Sequence, residues 1–141
     1  MKEAKMLNEC PFDITIESNR MVYSYIKNLS AHSDLAQILT RAVKYPGDVQ
    51  IYSPDFSSCR YVAVSTQRII FGFAIGTNTI AFRLNERMKA VAIKTGEKPY
   101  PECGADWVEF SFGGRGEWPA TDWEFWALKA YLNVRESVGL A

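Results

Sequence analysis

The segment IIFGFAIGTNTIAFRL, residues 69–84, decides the fold. β-Branched and aromatic side chains dominate it, and Gly76-Thr77-Asn78 breaks it into two runs. Two such runs joined by a short glycine-containing turn read as an antiparallel hairpin, because the turn is too short for a crossover. The predicted strands are Ile69–Ile75 and Thr79–Leu84. The same period of two reaches back to Asp48 and gives strands at Val49–Tyr52 and Arg60–Ser65. Ser53-Pro54-Asp55 and Thr66-Gln67 supply the breaks. Further on, Asp106–Phe112 reads as another strand, with Val108, Phe110 and Phe112 on one side.

Outside this block the apolar spacing is helical. Ser18 or Asn19 is the expected cap of a first helix, with Met21, Val22, Tyr25, Ile26 and Leu29 on one side. Ser33 or Asp34 caps a second, built on Leu35, Ile38, Leu39, Ala42 and Val43 and stopped by Tyr45-Pro46-Gly47. Asn85 caps a short third helix with Met88, Val91 and Ala92 inward, and Lys98 to Gly104 reads as loop. Thr121-Asp-Trp-Glu124 has the form of a capping box and starts a helix that runs to about Ser137. On that helix Trp123, Trp126, Ala127, Ala130, Tyr131 and Val134 make one broad face. Phe125, Leu128 and Leu132 make a narrower stripe opposite, expected to meet the N-terminal helices or another subunit. Phe12–Ile16 alternates as a short strand does. The predicted fold is α+β in a single domain, residues 1–141. It has a mainly antiparallel sheet of about five strands, two N-terminal helices, a short middle helix and a C-terminal helix packed on the sheet.

A chain of 141 residues buries enough surface to need neither a metal nor a disulfide. Sixteen basic and sixteen acidic side chains give no net charge, which argues against nucleic acid as a partner, since that mode draws on many phosphate contacts. Cys10, Cys59 and Cys103 are odd in number, widely spaced and without a C-x-x-C motif, as expected in a reducing cytoplasm. No apolar run approaches the ~20 residues of a membrane span, and Met1 to Cys10 lacks the apolar centre of a secretion signal. A cytoplasmic location without membrane association is therefore expected.

Alternation sorts the strands into two faces. Val62, Val64, Ile69, Phe71, Phe73, Ile75, Ile80, Phe82 and Leu84, with Val108, Phe110 and Phe112, form the expected core side. The other side carries Tyr52, Tyr61, Ala63, Ile70, Gly72, Ala74, Ala81, Arg83, Trp107, Glu109 and Ser111. Small residues at its centre, aromatic ones at its edges and two charges suit either a ligand or partner face, or a face that helices cover. Tyr52, Tyr61, Arg83, Trp107 and Glu109 are the candidate contacts there.

The glycine-rich turn at residues 112–118 is an anion candidate through Gly113, Gly114 and Arg115, because glycines let a backbone approach a phosphate. It matches neither a dinucleotide fingerprint nor a Walker loop, and Pro119 lacks an N–H. A plain turn is the competing reading. His32, the only histidine, lies between two predicted helices and has only Asp34 near it in sequence, so no nucleophile–base set emerges and no catalytic residue is assigned. The sequence predicts no cofactor and no metal site.

A strand ending in Phe82-Arg-Leu84 is followed by a short helix, then a Gly104-x-x-Trp-Val108 strand. After a glycine turn comes a helix with Trp126-Ala-Leu-Lys-Ala-Tyr131. This C-terminal half resembles small bacterial α+β domains of the TfoX N-terminal, YjbR-like and luciferase-like-domain type. The resemblance covers under half the chain, rests on structural motifs and implies a fold class without carrying over any functional residue. The expected function is a non-enzymatic binding or regulatory domain that takes a protein partner or small ligand on one sheet face, with a homodimer through Phe125, Leu128 and Leu132. The alternatives are a small enzyme or an anion- or nucleotide-binding domain at the Gly113–Gly116 turn, and nucleic-acid binding.

Overall fold

The computed structural model describes residues 5–7, 10–44, 46–54, 59–111 and 122–140. Seven strands form one sheet: β1 (Lys5–Leu7), β2 (Gln50–Tyr52), β3 (Val62–Thr66), β4 (Ile69–Ile75), β5 (Thr79–Arg83), β6 (Lys98–Pro99) and β7 (Trp107–Ser111). Their order is β1-β2-β3-β4-β5-β7-β6; every neighbouring pair is antiparallel except β1–β2, which is parallel. Helices α1 (Glu17–Ile26), α2 (Ser33–Ala42), α3 (Glu86–Lys94) and α4 (Trp123–Ser137) complete the α+β fold. The sheet therefore has seven strands rather than about five. The additions are the short β1, which replaces the expected strand at Phe12–Ile16, and the two-residue β6 within the expected loop.

Phe12–Ile16 fails as a strand because Asp13 offers its backbone a local alternative. The Asp13 carboxylate accepts from the Thr15 amide at 2.9 Å and from the Thr15 hydroxyl at 2.6 Å, closing a turn. These bonds hold the Asp13 carboxyl below its ordinary pKa. Helix α1 then starts without a side-chain cap, behind Ile16. Asn19, an expected cap, is instead fully buried inside the helix. Elsewhere the caps move by one residue. His32 Nδ1 accepts from the Asp34 amide at 3.1 Å and starts α2, and Asp122 accepts from the Phe125 amide at 3.0 Å and starts α4. Thr121 of the expected capping box lies outside the described residues. Asn85 caps α3 as expected, taking the Met88 amide at 2.8 Å.

Two apolar clusters lie on opposite faces of the sheet. On one, α2 and α4 set Leu35, Leu39, Trp126, Ala130 and Val134 against Val64, Phe71, Phe82, Val108 and Phe110. On the other, α1 and flanking loops set Phe12, Val22, Ile26 and Tyr100 against Tyr61, Ile70, Phe73 and Trp107. Phe73 and Ile75 thus belong to the second face, and Ala74 to the first, opposite to strict alternation. The cause is a β-bulge. Val64 pairs with Gly72 but Ser65 pairs with Ile70, so Phe71 is the extra residue and the alternation of β4 reverses beyond it. Gly72 fits this point because a Cβ there would meet the Phe82 ring and the Val64 methyl at 3.0 Å.

Candidate functional site

Arg83 and Glu109 follow Ala81 and Trp107 at a spacing of two, on the side of the sheet away from Phe82 and Phe110. That side is closed. Tyr61 and Trp107 are each 1% exposed, under α1, Phe12 and the Tyr100–Cys103 turn. They are interior residues, so the expectation of a ligand or partner face at these two rings is corrected: helix and loop cover them. Tyr52 is half-buried, its ring edge-on to Phe12. Arg83 pairs with Asp106 at 3.6 Å beside a shallow pocket of about 210 Å³ that also touches Met21 and Trp107. Glu109, partly buried, stands opposite Lys98 across β6 and β7.

The titratable groups inside this face are held in their neutral forms. Burial, with the Glu102 charge adding to it, pushes the Cys103 thiol up to about 12. Burial also raises Tyr61 and Tyr100, and the Tyr100 hydroxyl donates to that of Tyr25 at 2.9 Å. A thiolate or phenolate at these positions would be costly to form, so they serve packing. His32 is exposed and employs Nδ1 as a helix cap. Among the described residues no three His, Cys, Asp or Glu side chains are grouped to hold a metal ion, and no helix is long and apolar enough to cross a membrane. Gly113, Gly114 and Arg115 of the anion turn lie outside the described residues, as do Phe112, Gly116, Glu117 and Trp118.

The broad face of α4 packs on the sheet as expected. The opposite stripe is partly open to solvent: Phe125, Leu128 and Leu132 are 40%, 40% and 37% exposed. Lys129 lies over the Phe125 ring.

A groove of about 350 Å³ opens instead between α2 and the ends of β2 and β3. Helix α2 contributes Ser33, Ala36, Gln37, Thr40 and Arg41, which recur at helical spacing on one face. Ser53, Cys59, Arg60 and Val62 form the opposing wall. The walls are held together just ahead of α2, where the Ala31 amide donates to the Cys59 carbonyl at 2.8 Å and Ser30 bridges Arg60. Arg60 is steadied by one amino group, which donates to the Lys27 carbonyl at 2.6 Å. Ser53 is 2% exposed, yet its hydroxyl has no hydrogen-bond partner among the described residues. Sequence reasoning missed this place. Its polar helix face resembles any solvated one, and Ser53-Pro54 reads as a strand break. Only the packing of α2 onto the sheet at β4 and β5 brings the two together.

Comparison with protein-family models, with curated proteins and with solved structures gave no match.

Proposed function

We propose that the protein is a ligand-binding domain whose site is the groove between α2 and the β2–β3 end, in place of the closed sheet face. The observation that carries this reading is the unpartnered Ser53 hydroxyl in the wall of a concave, partly apolar groove of ligand size. A buried hydroxyl without a partner costs about 1–3 kcal/mol, which a bound polar group offsets. Gln37 is exposed and faces the groove, so Gln37→Trp fills it without disturbing the core. A thermal-shift screen of small molecules is expected to yield compounds that stabilise the wild type and leave Gln37→Trp unmoved. Compounds that stabilise both alike place binding elsewhere.

A second reading concerns assembly. The apolar stripe Phe125, Leu128 and Leu132 on the outer side of α4 favours a homodimer through that helix. Light scattering is expected to give twice the chain mass, and Leu128→Asp the single mass with the fold intact. A wild type of single mass removes this reading.

A further inference from the structure

We infer that the ligand of the α2–β3 groove is a small organic anion, a carboxylate or phosphate ester with a short apolar body. This rests on the ligand-binding reading above and names its chemistry. The first ground is charge. The chain as a whole is neutral, with sixteen basic and sixteen acidic side chains, yet the groove is lined by Arg41 and Arg60 and, among the described residues, by no acid. A concave site lined by one sign of charge concentrates its field and draws in the opposite charge.

The second ground is the state of the donors. Arg41 has no hydrogen-bond or ion-pair partner among the described residues. It stands on the ridge between this groove and a second one touching Asp122 and Glu124, but pairs with neither carboxylate. Arg60 lines the same groove and is anchored through one amino group to the Lys27 carbonyl. A guanidinium presents parallel N–H groups that match the oxygens of a carboxylate or a phosphate. Ser53 adds a buried hydroxyl that has no hydrogen-bond partner among the described residues. The guanidinium groups of Arg41 and Arg60 can only donate, so the group that complements them is an acceptor and carries negative charge.

The third ground is the remaining surface. Ala31, Ala36 and Val62 line the groove between these polar groups. They offer nothing to an inorganic ion but fit a short hydrocarbon. The volume of about 350 Å³ lies at the small end of ligand pockets, which run from about 300 to 1,000 Å³.

Cys59 provides the test, because it is exposed and lines the groove, while Cys10 is exposed and outside it. The intact chain is alkylated with iodoacetamide at fixed ionic strength, and the rate at each cysteine is read by peptide mass spectrometry. The probes are short carboxylates and phosphate esters, each paired with its neutral amide or alcohol. At least one anion is expected to slow Cys59 by about fivefold or more at millimolar concentration. Its neutral partner leaves Cys59 unchanged, Cys10 is indifferent to both, and Arg41→Gln, at an exposed position, abolishes the protection. If neutral probes protect Cys59 as well as anions do, and Arg41→Gln keeps that protection, the anion inference is overturned while binding in the groove stands. If no probe protects Cys59, both are overturned.

Discussion

On one face of the sheet α2 and α4 bring Leu35, Leu39, Trp126 and Val134 down on Phe71, Phe82 and Phe110, and the packing is almost wholly apolar. On the other, a single ten-residue helix, α1, shares the cover with Phe12 and the turn at Tyr100–Cys103. That second cover is pinned by polar bonds. The Asn19 amide group donates to the carbonyls of Asp13 at 2.8 Å and Arg68 at 2.7 Å, and its oxygen accepts from the Ile70 amide at 2.9 Å. The contrast teaches that two amphipathic helices can close a sheet by area alone. One helix with loops needs a side chain that ties it to a particular place on the strand beneath.

The sharpest way to break this comparison is to empty each face in turn. Phe82→Ala and Trp107→Ala should each cost about 3–5 kcal/mol in urea denaturation, since both rings are fully interior. A Trp107→Ala cost below about 1 kcal/mol would mean that the second face is open, as a ligand cleft would be. Next in size, Asn19→Ala leaves the buried Ile70 amide without its acceptor, while the Asp13 and Arg68 carbonyls keep the Ile16 and Asp13 amides. The expected loss is about 3 kcal/mol, with faster hydrogen exchange at Ile70 and an unaltered α2–α4 side. Uniform exchange across both faces would remove the distinction.

Gly72→Ala probes the bulge that assigns residues to the two faces. The added methyl would press on Phe82 and Val64, for a cost of about 1–2 kcal/mol. The smallest effect concerns the turn ahead of α1. The folded Asp13 carboxyl titrates below its ordinary value, so its contribution is present at neutral pH and is lost as pH falls through the folded pKa. The thermal midpoints of wild type and Asp13→Ala should therefore differ at pH 7 and converge on acidification. A gap that stays constant with pH would separate the turn from the charge.

Periodicity and capping signals were enough to find β2, β3, β4, β5 and β7 and all four helices, within about two residues at most ends; α1 ends at Ile26 rather than near Leu29, and Val91 of α3, expected inward, is exposed. These elements bury a regular side, and the regularity is written in the order of residues. The bulge is not, because every residue of Ile69–Ile75 except Gly72 is apolar and the run fits either phase when both faces are buried. Asn19 was legible only as a cap, since its three partners lie in Asp13, Arg68 and Ile70, two of them some fifty positions away. Strands of two or three residues, such as β1 and β6, carry no pattern of their own. The groove was hidden for a related reason: Arg41 on a helix and Ser53 and Arg60 beside strands converge only through packing.

The sheet also stops at β6 in a way that has consequences for neighbouring molecules. This border strand is two residues long, and both of them, Lys98 and Pro99, face water. Proline has no amide hydrogen to offer an incoming chain, and a lysine ammonium repels its own copy in any stack of like molecules. On that side the ladder cannot be lengthened by a foreign strand, which guards against fibre growth there at the expense of only two positions.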